Sequence, residues 1–230
     1  MIKAILFDFN GVIINDEPIQ MEIYTEILKD EGIELSESDY YASLGMDDRT
    51  FVSAAYQRAG KTLEGNKVLE LTQKKSEKWR ERIASEPPIF EGVENFIRKS
   101  AQDMTLGIVS MARLEDIEFF LQTVGLRELF AVIVSANDIT ACKPDPQCYR
   151  EGFRLIDAFR TASGHPPIIH GECLVIEDAP PGVLAAKANG LPVLGVTNTV
   201  SDSELRAAGA DNVTKRLDDW MPESVRRAFA

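Results

Sequence analysis

Short apolar runs alternate with helix-length segments along most of the chain. The runs cover residues 4–9, 106–110, 131–135, 174–176 and 193–196. Amphipathic segments between them predict helices over residues 93–101, 114–124, 146–159 and 181–188. Strands that are apolar on both faces and alternate with helices are typical of a parallel sheet covered on both sides. The pattern therefore predicts an α/β fold with a doubly wound, Rossmann-like parallel sheet.

Residues 16–86 show a different pattern. Ile19, Ile23 and Ile27 recur at a spacing of four, which predicts an amphipathic helix over residues 17–31. Further helices are expected over residues 49–59 and 65–83, with core candidates Phe51, Val52, Leu71 and Trp79. We therefore expect an all-helical cap at 16–86, inserted after the first strand of a core formed by residues 1–15 and 87–230. Residues 161–171, which contain glycine, prolines and both histidines, are expected to form a surface loop.

Composition narrows the classes of function. The 230 residues contain 25 Lys and Arg against 37 Asp and Glu, a net charge of −12, which disfavours binding to nucleic acid or to anionic membranes. The apolar runs are too short to span a bilayer, and the N-terminus does not resemble a signal peptide. Cys142, Cys148 and Cys173 share no metal-ligand spacing and are expected to be reduced thiols. We expect a cytoplasmic protein that is a monomer or a weak dimer.

Polar residues follow four of the predicted strands, at the ends where ligands bind in open parallel sheets. These residues are Asp8 and Asn10, then Ser110, then Lys143, and finally Glu177 with Asp178. A carboxylate can attack phosphorus, carboxylate and carbonyl oxygens can hold Mg²⁺, and an ammonium and a hydroxyl can neutralise and orient phosphoryl oxygens. The strand ends therefore predict phosphoryl-transfer chemistry.

Five segments together resemble a known family. They are DFNGVIINDEP from Asp8, FEGV at 90–93, IVS ending at Ser110, KPDPQCY from Lys143, and LVIEDAPPGVLAAKANG at 174–190. In this order and spacing the chain resembles the haloacid dehalogenase superfamily, in the branch of β-phosphoglucomutase-like proteins that carry a helical cap. The resemblance implies a hydrolase or transferase of phosphoryl groups that acts on a small phosphorylated substrate.

The resemblance also implies a role for each matching residue. Asp8 would be the nucleophile that becomes an aspartyl phosphate, and Gly11 would permit the turn toward the cap and contact the substrate. Ser110, with Met111 beside it, would hold the transferring group, and Lys143 would neutralise its charge. Mg²⁺ would be held by Asp8, the backbone carbonyl of Asn10, Glu177 and Asp178. Arg49, in GMDDRTF, lies where relatives use cap residues to bind the rest of the substrate.

The chain departs from the family pattern at the position of the general acid/base. Phosphotransfer members carry a second Asp two residues after the nucleophile, and this chain has Asn10. An amide cannot shuttle a proton, and general acid/base catalysis is worth roughly 10² to 10⁴ in rate. Gln20, Asn15 and Ala179 also replace the His, Asp and Ser of the branch. We expect a Mg²⁺-dependent phosphatase that forms an aspartyl phosphate. The alternatives are a phosphate-ligand-binding protein with little or no turnover and, less favoured, a phosphomutase.

Overall fold

The computed structural model describes residues 1–229, and a six-stranded parallel sheet forms its centre. The strands are β1 (Ala4–Phe7), β2 (Thr105–Val109), β3 (Phe130–Val134), β4 (Cys173–Glu177), β5 (Val193–Val196) and β6 (Asn212–Thr214). Their order in the sheet is β3-β2-β1-β4-β5-β6, with every neighbouring pair parallel. The α/β class predicted from the sequence is confirmed.

Helices cover both faces of this sheet. They are α5 (Val93–Ser100), α6 (Leu114–Thr123), α7 (Gln147–Ala162), α8 (Pro180–Ala188), α9 (Asp202–Ala207) and α10 (Pro222–Ala228). The alternation along β1 shows why both faces are apolar: Ile5 and Phe7 join one hydrophobic cluster, and Ala4 and Leu6 join the other. All four are fully buried.

Four helices lie between β1 and α5: α1 (Glu17–Asp30), α2 (Glu37–Tyr41), α3 (Asp48–Arg58) and α4 (Lys67–Ile83). We call α1–α4 the inserted helices. The core candidates Phe51, Val52, Leu71 and Trp79 are all buried. The Phe51 ring packs 4.1 Å from the ring of Tyr24 on α1, measured between centroids. No helix among residues 1–229 is both long enough and apolar enough to cross a membrane.

The sequence-based boundaries need three corrections. First, β1 ends at Phe7, so Asp8 lies just beyond the strand. Second, the loop expected over 161–171 begins later, because α7 continues to Ala162, and His170 stacks on Phe153 of that helix at 4.2 Å between ring centroids. Third, α2, α9, α10 and β6 were not expected. These elements are short, and all three residues of β6 are only partly buried, so the periodic signals of these elements in the sequence are weak.

Candidate active site

A buried ion network joins the ends of β1 and β4. The backbone amide of Asp8 donates to the carbonyl of Ile176, which fixes Asp8 beside the end of β4. The Lys143 ammonium lies 2.7 Å from Asp8 Oδ1 and 2.6 Å from Glu177 Oε1. All three side chains are buried. Burial by itself lowers the pKa of Lys143, but the two carboxylates outweigh it and raise that pKa above its ordinary value.

Glu177 is positioned by two residues to which the sequence analysis gave no role. The Tyr149 hydroxyl donates to Glu177 Oε1 at 2.7 Å from α7. Gly182 on α8 lies so close that a Cβ there would be 1.7 Å from Glu177 Oε1. Tyr149 belongs to KPDPQCY and Gly182 to the segment that follows Asp178, so both lay within recognisable motifs. Their contacts with one carboxylate come only from the packing of α7 and α8 on β4.

Three carboxylates meet at this point: Asp8, Glu177 and Asp178 each offer an oxygen within 4.8 Å of the others. Gly11, with φ of +75°, lies where a Cβ would be 2.0 Å from Asp178 Oδ2, so only glycine fits this turn. Burial raises the pKa of Asp178 well above its ordinary value, and the charges of Glu177 and Asp8 raise it further. Burial likewise raises the pKa of Asp8 to about 7, although Lys143 opposes the shift. Lys143 therefore compensates only part of the negative charge of this cluster.

Ser110 and Met111 follow β2 at the same edge of the sheet. The Ser110 backbone amide donates to the Val134 carbonyl at 2.9 Å, which holds the residue against β3. The Ser110 hydroxyl oxygen accepts from the backbone amide of Ala112 at 3.0 Å, so its own proton is free to be donated. Both Ser110 and Met111 are buried, and both line the cleft described below.

Asn10 contacts a carboxylate to which the sequence analysis gave no role. Its Nδ2 lies 3.1 Å from Oδ1 and 3.0 Å from Oδ2 of Asp16, which is fully buried. Gln20 Nε2 and Trp79 Nε1 also donate to Asp16 Oδ2, at 3.0 and 2.7 Å. Burial raises the pKa of Asp16, although the hydrogen bonds from Asn10 and Trp79 lower it in part. The only sequence signal was that Asn10, Asn15 and Gln20 depart from the family pattern together.

The inserted helices line the opposite wall with charged and phenolic groups. Lys75 is buried, and its ammonium lies 3.0 Å from Asp48 Oδ1, which also accepts from the Tyr24 hydroxyl. The Tyr40 hydroxyl donates to Glu17 Oε2 at 2.6 Å. Burial raises the pKa of Glu17 to about 7, and the charge of Asp16 adds to this shift. The sequence analysis did not predict this wall.

A cleft of about 100 Å³ separates the two walls. It brings together seven residues expected from the sequence: Asp8, Asn10, Ser110, Met111, Lys143, Glu177 and Asp178. Gly11 lies behind this surface against Asp178. Arg49 is exposed on α3 and does not line the cleft, and Lys75 is the cation that the inserted helices place there. A strand-end carboxylate beside an ammonium, a free hydroxyl and two further carboxylates can attack a phosphoryl group and neutralise the charge that develops on it.

Comparison with known proteins agrees with this chemistry. A family model described as haloacid dehalogenase-like hydrolase matches residues 5–196. YhcW of Bacillus subtilis (strain 168), described as a candidate phosphatase, is 32% identical over 208 residues, which cover 87% of this chain and 86% of YhcW. A phosphorylated carbohydrates phosphatase of Thermotoga maritima is 26% identical over 220 residues, covering 93% and 94% of the two chains.

A solved structure of β-phosphoglucomutase from Clostridium difficile shares the fold, with a TM-score of 0.83 at 17% identity and coverage of 100% and 97%. The resemblance inferred from the five motifs is confirmed, and the named relatives support a phosphatase. Because the family model spans both walls of the cleft and most of the sheet, the chain belongs to the haloacid dehalogenase-like hydrolase family.

Proposed function

We propose that the chain is a Mg²⁺-dependent phosphatase that hydrolyses a small phosphorylated metabolite through an aspartyl phosphate on Asp8. The observation that carries this proposal is the buried contact of Asp8 with Lys143 at the floor of the cleft. A buried carboxylate held beside an ammonium is a nucleophile whose own charge is balanced as it attacks a phosphoryl dianion.

The donor set fits Mg²⁺. The ion prefers oxygen ligands, and Asp8, Glu177 and Asp178 offer three carboxylates. The family resemblance implies that the backbone carbonyl of Asn10 would add a fourth oxygen. Three carboxylates and one ammonium leave a formal charge of −2, and the raised pKa values of Asp8 and Asp178 show that this charge is costly without a cation. When bound, Mg²⁺ would supply charge neutralisation for the cluster and for the incoming phosphate.

The chain's own residues would share the remaining work. Asp8 attacks phosphorus, and Lys143 stabilises charge on both the nucleophile and the phosphoryl oxygens. Ser110 donates its free hydroxyl proton to a phosphoryl oxygen, with Met111 packed beside it. Glu177, held by Tyr149, keeps the Lys143 ammonium directed toward Asp8.

We propose that residues 16–86 act as a cap that selects the leaving group. The inserted helices contribute Glu17, Asp47 and Asp48 to the cleft wall, and the one cation they contribute, Lys75, is paired with Asp48. A second phosphate or a carboxylate on the substrate would meet a net negative wall. An uncharged leaving group rich in hydroxyls would find hydrogen-bond acceptors there. This wall favours a polyol or sugar monophosphate.

The same wall weakens the alternative of a phosphomutase, whose bisphosphate intermediate needs a second anion site. The alternative of a phosphate-binding protein with little turnover is favoured by Asn10, because no titratable group occupies the position of the usual acid/base. That alternative and the phosphatase differ in turnover, not in binding.

The test is hydrolysis of p-nitrophenyl phosphate and a panel of phosphorylated metabolites with Mg²⁺. Asp8→Asn keeps the size of the side chain and should abolish turnover. Asp219→Asn makes the same change at an exposed position and serves as the control. Monophosphorylated polyols should exceed sugar bisphosphates and phosphoglycolate in kcat/KM by at least about tenfold. Full activity in Asp8→Asn would refute the aspartyl phosphate, and phosphate binding without turnover on any substrate would favour the binding protein.

A further inference from the structure

The contact between Asn10 and Asp16 determines which way the Asn10 amide points. A carboxylate oxygen accepts hydrogen bonds, so the group within 3.1 Å of both Asp16 oxygens is the NH₂ of Asn10. Trp79 Nε1 can only donate, which independently marks Asp16 Oδ2 as an acceptor. The carbonyl oxygen of Asn10 therefore points away from Asp16. It accepts no hydrogen bond from residues 1–229 and is not enclosed, and Asn10 lines the cleft.

Asp16 itself cannot easily reorient. It is fully buried, and its carboxylate accepts four hydrogen bonds from three side chains, Asn10, Gln20 and Trp79. Rotating the carboxylate would leave at least one buried donor without a partner. The side-chain amide of Asn10 is thus fixed by the Asp16 carboxylate, which is itself held by Gln20 on α1 and Trp79 on α4.

We propose that Asp16 is a positioning residue that holds Asn10 with its carbonyl oxygen toward the reacting group, so that the site orients the attacking water but offers no acid to the leaving group. This inference rests on the proposed phosphatase function. The two half-reactions then differ in the help that residue 10 gives. In hydrolysis of the aspartyl phosphate, the Asn10 side-chain oxygen orients the attacking water. In formation of the aspartyl phosphate, residue 10 offers no acid to protonate the leaving group.

Atoms balance in both steps. In the first, an Asp8 oxygen bonds to phosphorus and the bond to the leaving oxygen breaks. That oxygen leaves as an anion, or it takes a proton from a water molecule and leaves a hydroxide ion in solution. In the second step, a water molecule that donates a hydrogen bond to the side-chain carbonyl oxygen of Asn10 attacks phosphorus, and the bond from phosphorus to Asp8 breaks. Its proton moves to a phosphoryl oxygen, so dihydrogen phosphate and the Asp8 carboxylate form. The rate of the first step then depends steeply on the acidity of the leaving alcohol, whereas the rate of the second step does not depend on it.

The arrangement also explains how the family's usual Asp would behave here. In Asn10→Asp, the new carboxylate would face that of Asp16 at about 3 Å, with no proton donor between them, and like charges this close repel. The new side chain would turn away or take up a proton that it shares with Asp16. Asn10→Asp alone should therefore raise the activity on alkyl phosphates only slightly. Asn10→Asp combined with Asp16→Asn recreates one carboxylate facing one amide and should gain most.

The test compares these variants on two substrates, p-nitrophenyl phosphate and sorbitol 6-phosphate, whose leaving groups differ widely in acidity. For the unmodified chain we expect a burst of p-nitrophenol and a kcat/KM lower by at least about 10² on the alkyl phosphate. In the double variant this gap should shrink by about 10². Asp16→Asn alone should lower the steady-state rate after the burst, because the attacking water is no longer oriented. It should not narrow the difference in kcat/KM between the two substrates.

Trp79→Phe is the matched control. It removes another donor to Asp16 but leaves the Asn10 contact, so it should lower stability and leave the gap between substrates unchanged. A gain in Asn10→Asp as large as in the double variant would overturn the proposal. So would an equal loss in both half-reactions on Asp16→Asn.

A readout without turnover separates this inference from the proposed function. In ¹⁵N-labelled Asp8→Asn, the side-chain NH₂ signals of Asn10, assigned by their loss in Asn10→Asp, should lie downfield and exchange slowly with water. Asp16→Asn should shift upfield the signal of the Nδ2 proton that bonds the Asp16 carboxylate. Unshifted signals would refute the positioning role even if phosphatase activity is found, and shifted signals would support it even if activity is absent.

Discussion

The ion pair between Lys75 and Asp48 tests how the wall formed by the inserted helices is held together. The Lys75 ammonium lies 3.0 Å from Asp48 Oδ1 and 5.5 Å from the centre of the Tyr24 ring. Both charges are largely buried, with side-chain exposures of 6% and 13%. Asp48 Oδ2 is enclosed without a hydrogen-bond donor among residues 1–229. We predict that the losses from removing each partner do not add, so that removing both costs no more than removing Lys75 alone.

The magnitude follows from two opposing terms. At 3.0 Å and an effective dielectric constant of about 20, the attraction is about 5.5 kcal/mol. Desolvation costs several kcal/mol per ion, so the intact pair contributes little net stability, whereas a single buried charge left behind costs about 3–5 kcal/mol. Lys75→Met should therefore lower the free energy of unfolding by about 3–5 kcal/mol. Asp48→Asn should cost less, because Asp116 and Asp16 also act on the charge of Lys75.

The assay is urea unfolding of the two single variants and of Lys75→Met/Asp48→Asn, followed by both circular dichroism and Trp fluorescence to check two-state behaviour. The double variant should be no less stable than Lys75→Met, which gives a coupling energy of about 2–4 kcal/mol. Lys74→Met is the control: Lys74 makes an exposed ion pair with Asp30 at 2.9 Å, so this substitution should leave the free energy of unfolding nearly unchanged. Additive losses in the double variant would refute the reasoning.

Three further predictions concern the cleft. Because burial raises the pKa of Glu17 to about 7, its charged form destabilises the fold, and stability from this group is lost as the pH rises through about 7. Glu17→Gln should therefore gain stability relative to the unmodified chain between pH 5 and pH 8, by up to about 3 kcal/mol in urea unfolding, and a pH-independent difference would contradict this. Gly182→Ala should reduce turnover at least about tenfold by displacing Glu177, whereas Gly171→Ala, with open space around it, should leave kcat unchanged in steady-state assays; equal effects would contradict the steric argument. Mg²⁺ should raise the unfolding temperature of the metal-free protein, and Asp178→Asn should remove that rise; a rise that persists in the variant would place the ion elsewhere.

The sheet was predictable because its signal is repeated. Five apolar runs gave five of the six strands to within two residues at each end, since strands buried on both faces must be apolar throughout. The sixth, β6, has three residues at the edge of the sheet, with no fully apolar run to mark it. The helix α2 has five residues, too few for periodicity to show.

At the cleft too, some residues were predictable from the sequence and others were not. Asp8, Ser110, Lys143, Glu177 and Asp178 were found because the carboxyl ends of parallel strands share one edge. Arg49 was expected from its position in a loosely matching motif, but it is exposed, and the cation in the cleft comes from Lys75, whose place depends on how α4 packs against α1 and α3.

The sequence alone determined the strand-end chemistry, the insertion of helices after β1 and the presence of an amide where an acid is usual. Each of these depends on residue type and order, which are local properties. Only the tertiary structure decided what that amide faces. Asp16 is six residues away from Asn10 and directly precedes α1, and the sequence analysis gave it no role; α1 and α4 enclose it with Asn10, Gln20 and Trp79. A hydrogen bond has direction, and the direction of the Asn10 amide is set by groups that the chain brings together only when it folds.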